Sequence, residues 1–261
     1  MNILDKIISH KKEEVAQAKQ KRSLSELSQR PFFVRQVISL KESLLDETKT
    51  GIIAEFKRRS PSKGVINDKA DVVEVTAAYT RNGASCLSVL TDTTFFGGSA
   101  EDLEKARVNA LPILRKDFVI DEYQVAESKA MGADVILLIA ACLSPQRVKE
   151  LAAYARSIQL EVLLEIHAEE ELQHICEETA IIGVNNRDLK TFSVDINRSI
   201  EIGNKIGADK LKIAESGIRD VETIRTFKAA GFHGFLIGEN FMREEDPTVA
   251  FANFVQRLKA K

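Results

Sequence analysis

The sequence lacks the features of a membrane protein or a nucleic-acid-binding protein. Its longest apolar run, Val135 to Leu143, is far shorter than the roughly 20 residues that a membrane-spanning helix needs. The formal net charge is only −2, which indicates neither a nucleic-acid footprint nor a polybasic membrane-binding segment. Residues 1–15 carry charges where a signal peptide would have its apolar core. We therefore expect a cytoplasmic protein with neither a nucleic-acid nor a membrane partner.

Cysteine is sparse, and the cysteines and histidines do not follow a metal-site pattern. Cys86, Cys142 and Cys176 form no CxxC pair, and their odd number fits a reducing compartment better than a disulfide framework. The four histidines also lack ligand spacing. His167 comes nearest to a candidate site, but we expect a structural role for it, because a histidine on an apolar face is usually satisfied by packing. No metal site is predicted.

From residue 51 onward, short β-branched runs alternate with longer helical patterns. Most of the short runs are apolar throughout, as in strands of a parallel sheet that are buried on both faces. The predicted strands are Gly51–Phe56, Cys86–Thr91, Ile113–Asp117, Val135–Ala140, Glu161–Ile166, Ile181–Asn186, Leu211–Ser216 and Gly234–Gly238. The predicted helices include Asp71–Asn82, Asp121–Met131, Pro145–Ser157, Ala168–Glu177, Asp195–Ile206, Val221–Ala230 and Pro247–Lys259.

Eight such units in series predict an α/β fold, a closed (β/α)₈ TIM barrel. An open doubly wound sheet is the alternative, but it usually has a GxGxxG turn after its first strand, and none follows Phe56. The chain shows no linker or low-complexity segment, so we expect residues 1–261 to form a single domain. Residues 1–48 are expected to be an added helical extension, since residues 1–15 have apolar side chains near one helical face.

Polar residues occupy the carboxyl ends of otherwise apolar strands. Side chains two apart share a strand face, so each of these residues should point the same way as an apolar residue before it. Burying a charge is costly unless it is paired, and barrel enzymes keep their active sites at this end. The candidate catalytic residues are Glu55, Lys57, Lys116, Glu165, Asn185 and Glu215. The alternative is a set of ion pairs that only closes the top of the barrel.

Glycine-containing turns after the last two strands indicate a phosphate site. Barrels often bind phosphate with these loops and with the start of a short extra helix. Ser216, Gly217 and Gly238 would let backbone N–H groups approach an anion, and Glu239 would open the short helix and offer its N–H. The basic loop at 57–64 is either a solvated charge run or, as we favour, a lid that contacts phosphate through Ser60.

Two phenylalanines follow the second and third predicted strands. Phe96 and Phe118 either belong to the core or form the wall of an aromatic substrate pocket, and we favour the pocket.

Taken together, these segments resemble the indole-3-glycerol phosphate synthases of tryptophan biosynthesis. The motifs that carry the resemblance are Ile-Ala-Glu-Phe-Lys-Arg-Arg-Ser-Pro-Ser-Lys-Gly (53–64), Pro-Ile-Leu-Arg-Lys-Asp-Phe (112–118), Leu-Leu-Glu-Ile-His (163–167), Val-Asn-Asn-Arg-Asp-Leu (184–189), Ala-Glu-Ser-Gly-Ile (214–218) and Phe-Leu-Ile-Gly-Glu (235–239). They span the predicted barrel in order. Other phosphate-binding barrels share the last two motifs but not the first three together.

The resemblance implies ring closure, decarboxylation and dehydration of 1-(2-carboxyphenylamino)-1-deoxyribulose 5-phosphate, without a cofactor. It implies Lys116 as general acid, Lys57 as partner of the substrate carboxylate and Glu165 as proton-transfer group in the dehydration. Asn185 would hydrogen-bond the reacting groups and Arg187 would lie beside the substrate. Glu55 and Glu215 would orient the lysines, and the glycine-turn residues and Ser60 would hold phosphate.

Two other functions stay open at this point. A phosphosugar isomerase on a similar barrel would need one carboxylate base, and a non-catalytic barrel that senses a phosphorylated metabolite would bind without turnover. The presence of both lysines and Glu165 disfavours the sensor. We expect a monomer, with association with another enzyme of the pathway as the alternative.

Overall fold

The computed structural model describes residues 3–188 and 193–260, and within them eight parallel strands form a closed barrel. Leu189, the last residue of the 184–189 motif, lies outside these ranges. The barrel strands, labelled in chain order, are β1 (Ile52–Phe56), β2 (Cys86–Leu90), β3 (Ile113–Lys116), β4 (Val135–Ile139), β5 (Glu161–Ile166), β6 (Ile181–Asn185), β7 (Leu211–Glu215) and β8 (Gly234–Ile237). Pairing of β8 with β1 closes the ring. The predicted fold is confirmed, with every strand end within one residue of its expected position.

Helices surround this barrel; most of them connect consecutive strands, and the last two follow β8. They are α4 (Val72–Arg81), α5 (Ala100–Ala106), α6 (Glu122–Met131), α7 (Pro145–Ser157), α8 (Ile196–Gly203), α9 (Val221–Ala229), α10 (Glu239–Met242) and α11 (Pro247–Lys259). Many begin at an aspartate whose side chain accepts a backbone N–H of the first turn, as Asp71 does from Glu74 and Asp220 from Thr223. Such caps satisfy N–H groups that the helix itself leaves unpaired.

The connection after β5 differs from the sequence expectation. The predicted helix Ala168–Glu177 is a shorter 3₁₀ helix, Glu169–His174. Its geometry follows from local side-chain bonds: the Glu171 carboxylate accepts the backbone N–H of His167, and the His174 ring contacts the carbonyl oxygens of Glu171 and Leu143. Helix α5 was not among the predicted helices.

The buried apolar residues that the structure describes form three clusters, and the strands separate the two largest. The larger cluster lies between the strands and the surrounding helices, and the smaller one fills the barrel interior. Ile53, Leu114, Leu163 and Ile213 belong to the interior cluster. Each precedes a candidate residue by two positions, so alternation along the strand aims the candidate residues inward as well.

Three helices precede the barrel: α1 (Ile3–Lys21), α2 (Leu24–Ser28) and α3 (Leu40–Leu45). Leu40 and Leu44 of α3 pack into the interior cluster, and Glu161 at the start of β5 accepts the N–H of Leu40. Helix α3 therefore closes the amino-terminal end of the barrel. Helix α1 instead reaches the other end, where the fully buried Lys11 pairs with Asp92 and Asp117.

A two-stranded hairpin stands over the carboxyl end of the barrel. It pairs Arg59–Ser60 with Gly64–Val65 directly after β1. None of the helices in residues 3–188 and 193–260 has both the length and the apolar character required to cross a membrane.

Candidate active site

Strand β1 delivers an ion pair to the mouth of the barrel. Lys57 Nζ lies 2.6 Å from Glu55 Oε1, and the Glu55 side chain is buried. Gly238 at the end of β8 packs directly against this carboxylate: a Cβ atom there would lie 2.6 Å from Glu55 Oε1. The missing side chain at Gly238 therefore makes room for Glu55, a packing requirement that adds to the anion role expected from the sequence.

Three strands contribute a second cluster at the same end. Lys116 Nζ lies 3.4 Å from Glu165 Oε2, and Asn185 Nδ2 donates a 2.9 Å hydrogen bond to Glu165 Oε1. Burial alone would lower the pKa of Lys116, but the neighbouring carboxylates, Glu165 foremost, outweigh it and raise that pKa above its usual value. Burial would raise the pKa of Glu165, but Lys116 and the other donors hold it well below its usual value. The pair is therefore an ammonium facing a carboxylate.

Glu215 completes the interior set from β7. Burial and the negative charge of Glu165 raise the pKa of Glu215 to about 8, so that its carboxyl group carries a proton at neutral pH. Its Oε1 atom is buried without a hydrogen-bond partner. A buried polar atom of this kind is costly unless a bound molecule satisfies it. The acid is thus available to donate to, or accept from, a ligand in the mouth.

The structure brings the six candidate catalytic side chains to one end of the barrel. Glu55 and Glu215 both act on the Lys116 charge, Lys57 joins the set through Glu55, and Asn185 joins it through Glu165. The arrangement brings two ammonium groups, two buried carboxylates, a neutral acid and an amide close together. Such a site can protonate an oxygen, accept a proton and hold an anionic substrate.

The turn after β7 has an unusual backbone. Ser216 and Gly217 both have positive φ values, 68° and 71°. Such values are rare for residues with a side chain, and successive positive-φ residues can turn backbone N–H groups toward one point. Val194 packs where a Gly217 side chain would extend, so the turn is also enclosed. These properties suit the approach of an anion.

Glu239 lies between two basic side chains at the edge of the mouth. Its carboxylate is 3.6 Å from Lys63 Nζ of the hairpin loop and 3.8 Å from Arg187 Nη2. It opens α10, as the sequence predicted. Both ion-pair distances are long and all three side chains are partly exposed, so these contacts contribute little stability. They do place the hairpin, the β6 end and α10 around one opening.

The remaining predicted residues also lie at this end. The rings of Phe96 and Phe118 are 6.0 Å apart between centroids, and Phe118 packs against the interior cluster. Ser60 sits in the hairpin, paired with Gly64. Phe96 and Phe118 thus form one aromatic face beside the charged groups.

His167, which the sequence analysis assigned to packing, lies at the charged cluster. It is two residues beyond Glu165, and its Nε2 atom is 3.0 Å from Glu165 Oε1. The alternation that identified Glu165 could have placed His167 on the same inward face.

A separate depression lies outside the mouth, between residues 67–75 and 245–248. Its carboxylates include Asp71 and Asp246, which already cap α4 and α11. These groups serve their own helices, so the barrel mouth remains the candidate site.

Comparison with known proteins identifies the family. A family model described as indole-3-glycerol phosphate synthase matches residues 4–254. The indole-3-glycerol phosphate synthase of Bacteroides thetaiotaomicron is 45% identical over 259 residues and aligns with 99% of both chains. That of a Polaromonas species is 43% identical over 256 residues, 96% of this chain and 97% of the relative. The chain belongs to the indole-3-glycerol phosphate synthase family. As a member, it is a carboxy-lyase of tryptophan biosynthesis.

Solved structures of other proteins share the barrel with this family member. A tryptophan synthase α-subunit from Pyrococcus furiosus superposes with a TM-score of 0.61 at 14% identity, over 80% of this chain and 98% of that one. A mandelate oxidase superposes with a TM-score of 0.61 at 16% identity, over 80% and 72% of the two chains. At this level of identity the likeness concerns the fold alone.

Proposed function

We propose that this chain converts 1-(2-carboxyphenylamino)-1-deoxyribulose 5-phosphate into indole-3-glycerol phosphate, CO₂ and water. The observation that carries the proposal is the Lys116–Glu165–Asn185 cluster, an ammonium beside a carboxylate that is itself held by an amide. Membership of the indole-3-glycerol phosphate synthase family supports the same reaction.

Ring closure joins the aromatic carbon that bears the carboxylate to the ketone carbon of the sugar. Lys116 donates a proton to the ketone oxygen as the carbon–carbon bond forms. Its raised pKa keeps it protonated in the resting site, ready to act as the acid. Asn185 hydrogen-bonds the reacting groups, and its bond to Glu165 supports its orientation.

Loss of CO₂ follows at the same aromatic carbon and restores the ring. Lys57 pairs with the substrate carboxylate, in exchange for part of its contact with Glu55. Keeping this carboxylate ionised and oriented prepares the bond to break. Glu55 then holds Lys57 in place and, with Glu215, binds substrate hydroxyl groups.

Dehydration completes the indole. The hydroxyl group formed from the ketone leaves as water after protonation, and a neighbouring carbon loses a proton. Glu165, a carboxylate in the resting site, takes the proton from that carbon and delivers it to the leaving hydroxyl group. Glu215 carries a proton at neutral pH and can donate a hydrogen bond to a substrate hydroxyl.

The phosphate and the aryl ring occupy opposite sides of the mouth. The N–H groups and hydroxyls of Ser60, Ser216, Gly217, Gly238 and Glu239 hold the phosphate, supported by the positive-φ turn after β7. Arg187 lies beside the substrate near Glu239. Phe96 and Phe118 line the aryl pocket.

The enzyme acts as a cytoplasmic monomer of one domain that spans residues 1–261. The packing of Leu40 and Leu44 inside the barrel supports a single domain. Among residues 3–188 and 193–260, the most exposed apolar side chains are Val34, Val65 and Val108. They lie in two separate turns and in the hairpin, which supports a monomer over association with another pathway enzyme. Sedimentation at micromolar concentration tests the monomer, and a dimer mass would contradict it.

Direct turnover tests the reaction. The purified chain is mixed with the anilino-deoxyribulose phosphate, and the rise of indole fluorescence is recorded. We expect steady product formation without added metal or cofactor. The matched control is the substrate analogue without the aryl carboxylate, which should not react appreciably because Lys57 has no anion to bind and orient. No signal with authentic substrate would refute the proposal.

A further inference from the structure

The ring of His167 lies buried between two carboxylates. Its Nε2 atom lies 3.0 Å from Glu165 Oε1, and its Nδ1 atom lies 3.6 Å from Glu171 Oε2. Neither contact has the geometry of a good hydrogen bond, so the attraction is mainly between opposite charges. Only 6% of the side chain is exposed, which leaves little room for water to replace either carboxylate.

The position of His167 is fixed by its own backbone. Its N–H donates a 2.5 Å hydrogen bond to Glu171 Oε2, and its carbonyl oxygen accepts a 2.9 Å bond from Arg198 Nη2. The 3₁₀ helix and α8 therefore hold this residue from two sides. A residue whose backbone is held from two sides can present its ring to its neighbour in a fixed position.

The contact divides the two oxygens of Glu165 between different partners. Oε1 meets both Asn185 Nδ2 at 2.9 Å and His167 Nε2 at 3.0 Å, whereas Oε2 faces Lys116 at 3.4 Å. A partial rotation of the carboxylate would lengthen both contacts on Oε1 and the one on Oε2, so the three partners together oppose it. Oε2 is therefore the oxygen that remains directed at the lysine.

We propose that His167 is a positioning residue for Glu165: as an imidazolium between two carboxylates, it fixes Oε1 and keeps Oε2 directed at Lys116 and the substrate. The inference rests on the proposed function and adds a residue to it. His167 does not touch the reacting atoms. It acts by orientation and by keeping Glu165 ionised.

The surrounding charges favour the cationic form. Burial alone would lower the pKa of His167, but its contacts with Glu165 and Glu171 raise that pKa to about 10. The ionisable groups that face this residue or its partners are Glu165, Glu171, Glu215, Lys116, Cys142 and Arg198. The carboxylates closest to the ring outweigh the positive groups, because Lys116 and Arg198 are themselves engaged with Glu165 and Asp188.

The test compares His167→Leu, which removes both charge and donor, with His167→Gln, which keeps a neutral donor. We expect kcat of the leucine variant to fall about 10- to 100-fold, because a misoriented catalytic group lowers the rate by roughly this factor. The value of KM should change less than about threefold. The glutamine variant should recover part of the loss. In both, the acid limb of the kcat–pH profile should move up by about one pH unit, because losing a nearby positive charge raises the pKa of Glu165.

His233→Gln is the matched control. This histidine precedes β8 at the opposite end of the barrel, and its substitution should change neither kcat nor the acid limb. Thermal unfolding of each variant separates loss of folding from loss of positioning. A His167→Gln enzyme that folds and shows an unchanged acid limb would overturn the inference.

Nuclear magnetic resonance of the histidine rings tests the positioning role of His167 without turnover. The His167 ring should remain protonated well above pH 7 in the native chain and titrate at lower pH in Glu165→Gln. An inactive native chain with this titration would refute the proposed reaction but would still support the pairing of His167 with the two carboxylates. An active chain whose His167 titrates like an exposed histidine would refute the positioning role of His167 alone.

Discussion

The carboxyl group of Glu215 occupies the space that a side chain at Gly183 would fill. A Cβ atom at Gly183 would collide with Glu215 Oε1, and it would also meet Leu163 at 3.3 Å. The two residues lie on adjacent strands, where Gly183 pairs with Ile213 and Asn185 pairs with Glu215. One glycine in β6 thus determines where the neutral acid of β7 can stand.

Substitution of Gly183 by alanine should impair turnover more than folding. The backbone of Gly183 does not have a positive φ value, so alanine brings no backbone strain, but its methyl group would displace the Glu215 carboxyl. We expect kcat/KM to fall about 10- to 100-fold. Steady-state kinetics and the thermal midpoint measure the two effects. Gly207→Ala, at an exposed position before β7 where only the Asp209 side chain approaches the Cβ position, serves as a control for alanine as such. Full activity in Gly183→Ala would show that Glu215 can move freely.

Replacing Lys116 by methionine should remove the acid of ring closure while keeping most of the side-chain length. We expect kcat to fall more than about 100-fold, the scale of a general acid. Single-turnover fluorescence separates this loss from slow product release. Lys63→Met is the control: Lys63 is half exposed and 3.6 Å from Glu239, so its loss should act on KM rather than kcat. A nearly normal kcat in Lys116→Met would remove Lys116 from its role.

Activity should decline on the basic side as Glu215 loses its proton. Its pKa is about 8, raised by burial and by Glu165, so the neutral acid predominates below that pH and an additional negative charge develops above it. We expect a basic limb in kcat/KM near pH 8. In Glu215→Gln, which stays neutral at every pH, this limb should disappear while the acid limb remains. A pH profile of the glutamine variant with the same basic limb would assign that limb to another group.

Loss of Lys11 should destabilise the fold strongly. Its ammonium group is fully buried, 3.1 Å from Asp92 Oδ2 and 3.0 Å from Asp117 Oδ1. Methionine would leave two buried carboxylates without their shared partner, and breaking such a set costs about 3–5 kcal/mol. Urea unfolding measures the change.

The control lies on the same helix. Lys19 pairs with Asp121 on the surface, and Lys19→Met should cost less than about 1 kcal/mol. Equal losses in the two variants would mean that the buried cluster adds nothing beyond a surface ion pair.

Strand order and the inward direction of the site residues could be predicted from sequence because both depend on local patterns. An apolar run that ends in Glu, Lys or Asn places that residue on the face of the residue two before it, as Leu163 does for Glu165. The wide spacing of such strands leaves little choice of fold.

Contacts between distant segments could not be predicted in this way. Nothing in the sequence of α1 indicates that Lys11 pairs with Asp92 and Asp117, because that pairing depends on how the extension packs against the barrel. His167 was missed for a different reason: a histidine on an apolar face was expected to have a packing role, and its second carboxylate, Glu171, reaches it only because the segment after β5 folds back onto its N–H. Without that fold, the ring has no visible charged neighbour beyond Glu165.

Helix α3 makes the first part of the chain a structural component of the barrel lumen. Leu44 lies 3.1 Å from where a side chain at Gly234 would begin, and Leu40 is fully shielded from water. A protein trimmed to start at β1 would therefore expose apolar side chains at the bottom of the barrel, including Leu211 and Ile181, to water. All eight strands would be present in such a protein, but the amino-terminal end of the barrel interior would be open to solvent.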